Sequence, residues 1–172
     1  SIHQGDIGFE KWTFRPRLSL QTSAIKNVSL SLIGQMYQGT PSLSQLSDVR
    51  QQSSDLMAGD GNVNLKPYTG YQAYFTGTWN VPLLSLWVNA GITYAPDVIM
   101  TTYNAVQQDN GEYMIVSRPE NQRAFYDKWV RGNLTLHAIK DVLDISLYGC
   151  YDRYDSRGNT YRHTYNAWQW GA

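Results

Sequence analysis

Cysteine is almost missing from this chain: Cys150 stands alone among 172 residues. A single thiol excludes an intrachain disulfide framework and any cysteine-based zinc site. Histidine is scarce too. His3, His137 and His163 lie far apart with no H-x-x-x-H spacing, so no metal site is expected. No stretch reaches the roughly 18 continuous apolar residues of a membrane helix. That excludes a helical membrane protein. It leaves a membrane barrel open, because alternating strands average out as polar, and the mean hydropathy here is -0.45.

Neither sign of charge dominates. The 14 basic and 14 acidic residues give a formal net charge of +0, and no basic stripe marks a nucleic-acid partner. No G-x-S-x-G or phosphate-loop pattern occurs, so neither a cofactor nor an enzymatic activity is expected. A secretory signal is missing as well. The sequence opens on SIHQGD and closes on AWQWGA within a strand-like pattern, and reads as a piece of a longer chain.

Aromatic residues and alternation are what the chain does have. Aromatics make up 13%, with 13 Tyr and 6 Trp. From Trp12 onward, apolar and polar residues alternate. Leu18, Leu20, Thr22 and Ala24 interleave with Arg17, Ser19, Gln21 and Ser23. The same period recurs in Tyr71, Ala73, Phe75, Gly77, Trp79 and Val81, in Leu86, Val88, Ala90, Ile92 and Tyr94, and in Leu143, Ile145, Leu147, Gly149 and Tyr151. Period two predicts half-buried strands over 12–24, 28–38, 68–80, 85–103, 123–138, 144–155 and 159–170. Short turns at 25–27, 81–84, 139–143 and 156–158 separate them, with long connections at 39–67 and 104–122. In the second long connection, Met114-Ile115-Val116 after Asn110-Gly111 predicts a hairpin projecting beyond the main sheet. In the first, Pro41, Ser42 and Gln45 form a capping-box pattern, and Leu43, Leu46 and Val49 have helical spacing. Together they predict a helix over 42–51, followed by a polar run to Gly61.

These strands are long. Sandwich strands usually run about 5–6 residues, whereas a tilted membrane strand needs about 9–11. The polar face carries Arg15, Arg17, Gln21, Gln35, Asn80, Asn89, His137 and Asp144, a set that belongs against water. Short turns at one end and long loops at the other match an outer-membrane barrel. Trp12, Tyr37, Tyr68 and Tyr71 at the long-loop end, with Trp79 and Trp87 at the other, are expected to form two aromatic girdles. The fold class read from the sequence is all-β: an antiparallel up-and-down meander, a partial transmembrane barrel of about seven strands in one unit spanning 1–172. A soluble β-sandwich with its apolar face on a second sheet is the competing reading.

Two loop motifs carry a resemblance. Pro41, Ser42, Leu43, Gln45 and Leu46, then Gly61, Asn62, Asn64, Leu65, Lys66 and Pro67, resemble an extracellular-loop segment of TonB-dependent outer-membrane receptors. Val63 stands where that pattern usually has proline. SRPENQ at 117–122 and YDRYDSRGN at 151–159 are similar to the Bacteroidetes outer-membrane barrel group. The resemblance implies a barrel of about 22 strands closed by a plug, in a Gram-negative outer membrane. It also implies uptake of a small nutrient driven by TonB, with lipid, plug and TonB as partners. Neither the plug nor the TonB-binding box lies in these residues.

The first motif also has a purely local account. Asp60-Gly61-Asn62 favours a turn, and Pro67 pushes Lys66 into an extended conformation that launches the strand at Tyr68. A loop-to-strand junction is therefore the favoured role, ahead of substrate contact. Ser146 and His137 are the one pair worth testing as a barrel hydrolase, and nothing else marks them. Asp48, Asp55 and Asp60 lack calcium-loop spacing and read as solvated carboxylates. His137 reads as a water-facing hydrogen bonder and Cys150 as a small filler. No ligand-binding residue is singled out. A passive porin-like, adhesin or assembly barrel, or a soluble β-rich binding domain, are the functional alternatives.

Overall fold

The computed structural model describes residues 14–47, 49–139 and 142–172. Seven strands form one antiparallel sheet: β1 (Arg17–Thr22), β2 (Val28–Gly39), β5 (Tyr68–Val81), β6 (Leu84–Pro96), β9 (Ala124–Ile139), β10 (Leu143–Arg157) and β11 (Arg162–Gly171). They lie in that order, so every strand pairs with its predecessor in the sheet, as in a meander. The two long connections contribute a second, four-stranded sheet in the order β3 (Gln51–Ser54), β4 (Met57–Gly59), β8 (Tyr113–Asn121) and β7 (Ile99–Gln107). The expected meander of seven strands is present, and this second sheet is added to it.

The ladder sorts the side chains into two faces. One row runs Gln21, Ser31, Thr76, Asn89, Arg131, Cys150 and Gln169, all polar or small. The adjacent row, on the opposite face, runs Leu20, Leu32, Phe75, Ala90, Val130, Tyr151 and Trp168. Alternation along each strand and strict register between strands make each face uniform. Among the described residues, no second layer covers the apolar face: Leu20 is 55% exposed, Leu147 51% and Trp168 76%. The buried apolar residues are instead Leu46, Ala58, Leu65, Ala95, Met114, Val116 and Ala124, all in or beside the long connections. A sandwich would bury one face of the main sheet, and this sheet does not.

The apolar band crosses the ladder obliquely. On β2 it runs from Val28 to Met36, and on β10 from Leu143 to Tyr151, where Arg153 begins the polar part. Met36 lies in the same row as Asp155, so the upper edge of the band descends by two rows between β2 and β10. Strands tilted against a flat apolar slab produce such an offset.

Several expected boundaries shift. The strand expected over 85–103 breaks after Pro96. Asp97 takes a left-handed φ of 53°, and β7 leaves the main sheet for the second one. Proline supplies no ladder N–H, which favours a strand end there. The helix spans only Leu43–Leu46, although both halves of the Ser42/Gln45 capping box are made. A second turn has nothing to bury: Leu43 is 80% exposed and Val49 67%. The polar run beyond it folds as the β3–β4 hairpin. The hairpin expected at Asn110-Gly111 is present, with Gly111 at φ 85° and Gln108 N–H donating to Glu112 O at 2.8 Å. The turn expected at 156–158 lies at 158–161, because Ser156 and Arg157 still pair with His163 and Arg162. Hence only two of the three connections at that end are long.

Candidate functional site

The long-loop end is organised by side chains that bond to backbone. Asn62 Nδ2 donates to Pro119 O at 3.0 Å, and Asn62 N–H donates to Gln45 O at 2.7 Å. Asn121 Oδ1 accepts from Lys66 N–H at 2.9 Å, while its Nδ2 donates to Lys66 O and Asp97 O, each at 2.8 Å. Gln122 is fully buried and accepts from Asn159 N–H at 2.6 Å. A Cβ at Gly61 would collide with the Ser47 carbonyl, so only glycine fits there. The two loop motifs thus clamp each other, and the junction role expected for 60–67 accounts for its contacts. Above the clamp, β4 and β8 pair in parallel, and Ala58, Met114 and Val116 form a small core. Arg50 grips Asp60 with two hydrogen bonds of 2.7 Å, and this hydrogen bonding holds the Asp60 carboxyl below its ordinary range.

Below the clamp, the polar face is cross-linked. Gln35 donates to Gln72 at 2.7 Å, and Gln72 to Thr93 at 3.4 Å. Trp129 Nε1 donates to Asn89 Oδ1 at 2.9 Å, and Asn89 Nδ2 donates to Thr76 Oγ1 at 3.0 Å. Trp129 lies flat over Gly91, where a Cβ would strike its ring. Arg131 pairs with Asp152 at 3.1 Å. Arg17 sits opposite Gln35 in the ladder, and Cys150 donates weakly to Gln169 at 3.5 Å. Arg15 precedes β1 and is exposed.

The expected girdles are corrected in part. Tyr71, Tyr94 and Tyr126 form a stacked row on the apolar face at the long-loop end, with centroid separations of 6.2 and 4.7 Å. Tyr37 and Tyr68 lie on the polar face instead, in an edge contact of 6.4 Å, because their partners Gly70 and Gly39 face that way. Trp79 is on the apolar face near the short turn, but Trp87 pairs with Thr78 and Asn133 and faces the polar side. Trp12 lies outside the described residues.

At the short-turn end, His137 has a different serine than expected. Ser146 bonds Thr135 at 2.9 Å. His137 Nε2 lies 3.1 Å from Ser85 Oγ, and its Nδ1 lies 2.9 Å from Asp144 Oδ1. This set spans β6, β9 and β10 and borders a concavity of about 950 Å³ between two short turns. Serine, imidazole and carboxylate are in a proton-relay order, but acyl transfer also needs N–H groups aimed at one point off the sheet. Backbone N–H groups of interior strands lie in the sheet plane, directed at neighbouring strands. The contacts made by Ser85, His137 and Asp144 tie three strands together as a polar bracket.

Among the described residues, no three His, Cys, Asp or Glu side chains group as a metal site. Of the three loop aspartates, Asp60 is held by Arg50, the Asp55 carbonyl accepts from Gln108, and Asp48 lies outside the described residues. His3 lies outside them too, and His163 packs edge-on against Tyr154. Sequence reasoning missed Ser85, Asn121 and Gln122 as organisers. The last two sit within the SRPENQ stretch, where resemblance flagged them without a role.

No protein-family model matches the chain, and no curated protein matches it. Solved structures do. The siderophore receptor PirA from Pseudomonas aeruginosa superposes with a TM-score of 0.61 at 15% identity, over 90% of this chain and 34% of the receptor. The siderophore receptor PirA from Acinetobacter baumannii gives 0.53 at 14% identity, over 84% of this chain and 24% of that one. The chain thus spans 34% and 24% of the two receptors, and at this identity the likeness is one of fold: an antiparallel sheet of the kind these receptors contain.

Proposed function

We propose that this chain is part of an outer-membrane β-barrel receptor for TonB-dependent nutrient uptake, in which the two long connections capture the ligand. The observation that carries this reading is the uncovered apolar face, bounded at the long-loop end by Tyr71, Tyr94 and Tyr126. Tyrosine rows of that kind mark a bilayer interface. The polar face then lines the lumen, and the clamp and second sheet stand outside the cell. The two solved structures named above are siderophore receptors, so ferric siderophores are the first ligand class to test. The subgroup resemblance to Bacteroidetes barrels rests on the sequence stretches alone.

Single-cysteine scanning in the full-length protein tests the membrane reading, after Cys150→Ser removes the native thiol. Cysteines at Leu32, Val88, Val130 and Leu147 should resist a water-soluble maleimide. Those at Gln35, Asn89, Arg131 and Ser146 should react. Equal reaction on both faces would refute the membrane placement. Uptake that survives deletion of TonB would refute the energy coupling and favour a passive barrel.

A further inference from the structure

On β9, β10 and β11 the apolar face ends abruptly in positive charge. The rows Leu134/Leu147, Gly132/Gly149/Trp170 and Val130/Tyr151/Trp168 give way to Lys128/Arg153/Asn166, then Tyr126/Asp155/Thr164, then Ala124/Arg157/Arg162. All six rows are on one face, because successive rows are two residues apart. Each step advances about 7 Å along the strand, so four cations begin one step past the apolar band and end about 20 Å past it.

Asp155 is the one carboxylate on this part of the face, and it is committed. Its side chain is 9% exposed, accepts from Arg162 Nε at 3.2 Å and Nη2 at 2.8 Å, and accepts from Arg157 Nη2 at 3.3 Å. Arg157 also lies 5.0 Å over the Tyr126 ring. The guanidinium groups are thereby fixed, yet Arg157 and Arg162 remain 47% and 59% exposed. Lys128 and Arg153 are ladder partners, and among the described residues neither forms an ion pair. Like charges directly opposite each other destabilise a sheet. Between them and the two fixed arginines lies a depression of about 270 Å³ lined by Tyr126, Lys128, Arg153, Asp155, Arg157 and Arg162. Four cations against one carboxylate leave three positive charges unmatched at the edge of an apolar surface.

We propose that this depression binds the phosphorylated headgroup of an outer-leaflet glycolipid, whose acyl chains lie on the apolar band below. The inference rests on the membrane placement above. A phosphate between Lys128 and Arg153 removes their repulsion, and the guanidinium forks suit its oxygens. A soluble anion would gain the same charge contacts but nothing from Val130, Tyr151 and Trp168.

The test uses the full-length protein in phosphatidylcholine nanodiscs containing diphosphorylated lipid A, with lipid retention read by native mass spectrometry. Retention is expected to exceed that of dephosphorylated lipid A by about tenfold or more and to weaken with salt. K128A/R153A should abolish the difference, while N166A, on the same face, should not. Heat-modifiable gel mobility shows whether each variant folds. If the double variant does not, Lys128→Gln, which breaks no ion pair among the described residues, carries the test. Equal retention of both lipids, or full retention by a folded charge-deleted variant, would overturn the proposal. Displacement by inorganic phosphate alone would also overturn it, assigning the site to a free anion. A protein that does not enter nanodiscs would instead refute the membrane reading.

Discussion

Asn121 and Gln122 occupy adjacent positions at the junction of the two long connections, but their surroundings differ. The Asn121 contacts to Lys66 and Asp97 are open to water, whereas Gln122 is fully buried against Asn159. Losing a solvated hydrogen bond costs about 1 kcal/mol, whereas truncating a fully buried side chain also leaves a cavity, at about 2 kcal/mol or more. Gln122→Ala should therefore lower the thermal midpoint more than Asn121→Ala, and a larger effect for Asn121 would contradict this burial order. Asp60 adds a dependence on pH. Its carboxyl is held below its ordinary value of 3.8 by Arg50, so the ion pair's contribution is complete above that pH and is lost as pH falls through the lower folded value. Hydrogen exchange in β3 and β4 should quicken in that acid window in the native protein and not in Asp60→Asn. Val63, the departure from the receptor pattern, sits in an exposed turn and disturbs none of these contacts.

Among elements, the seven strands of the main sheet were legible because alternation is a local signal and each keeps one face apolar across the band. The second sheet was not. β3 is four polar residues, β4 is only three residues long, and the β4–β8 pairing joins residues far apart in sequence. Only its distal hairpin showed, through Asn110-Gly111. The capping box at Ser42 was readable, but the helix length was not, because Val49 finds no surface to cover. If the small sheet folds as its own unit on the Ala58–Met114–Val116 core, Val116→Asp should open it by burying an unpaired carboxylate. Amide exchange should then rise in β3, β4, β7 and β8 and stay unchanged in β5, β6 and β9. Equal acceleration in the main sheet would show the two sheets to be one cooperative unit.

At the scale of the whole sheet, an apolar face that no described residue covers and two edge strands, β1 and β11, determine behaviour out of a bilayer. Such edges pair with other chains, and such faces associate. The isolated 172-residue chain is expected to aggregate without detergent, and light scattering checks this. A monodisperse soluble monomer would return the soluble β-domain reading to the front.

By itself, the sequence determined the meander, the two faces and the end that carries the long loops. Those follow from period-two alternation and turn chemistry, which act between near neighbours. Alternation already sends Trp87 and Tyr37 to the polar side; the tertiary structure alone decided which aromatics meet across strands, since that depends on register, and it brought Tyr71, Tyr94 and Tyr126 into one row. It also decided that Ser85, and not Ser146, meets His137. And it brought Lys128, Arg153, Arg157 and Arg162 to one depression from three strands, since the ladder places side chains opposite each other whatever their distance along the chain.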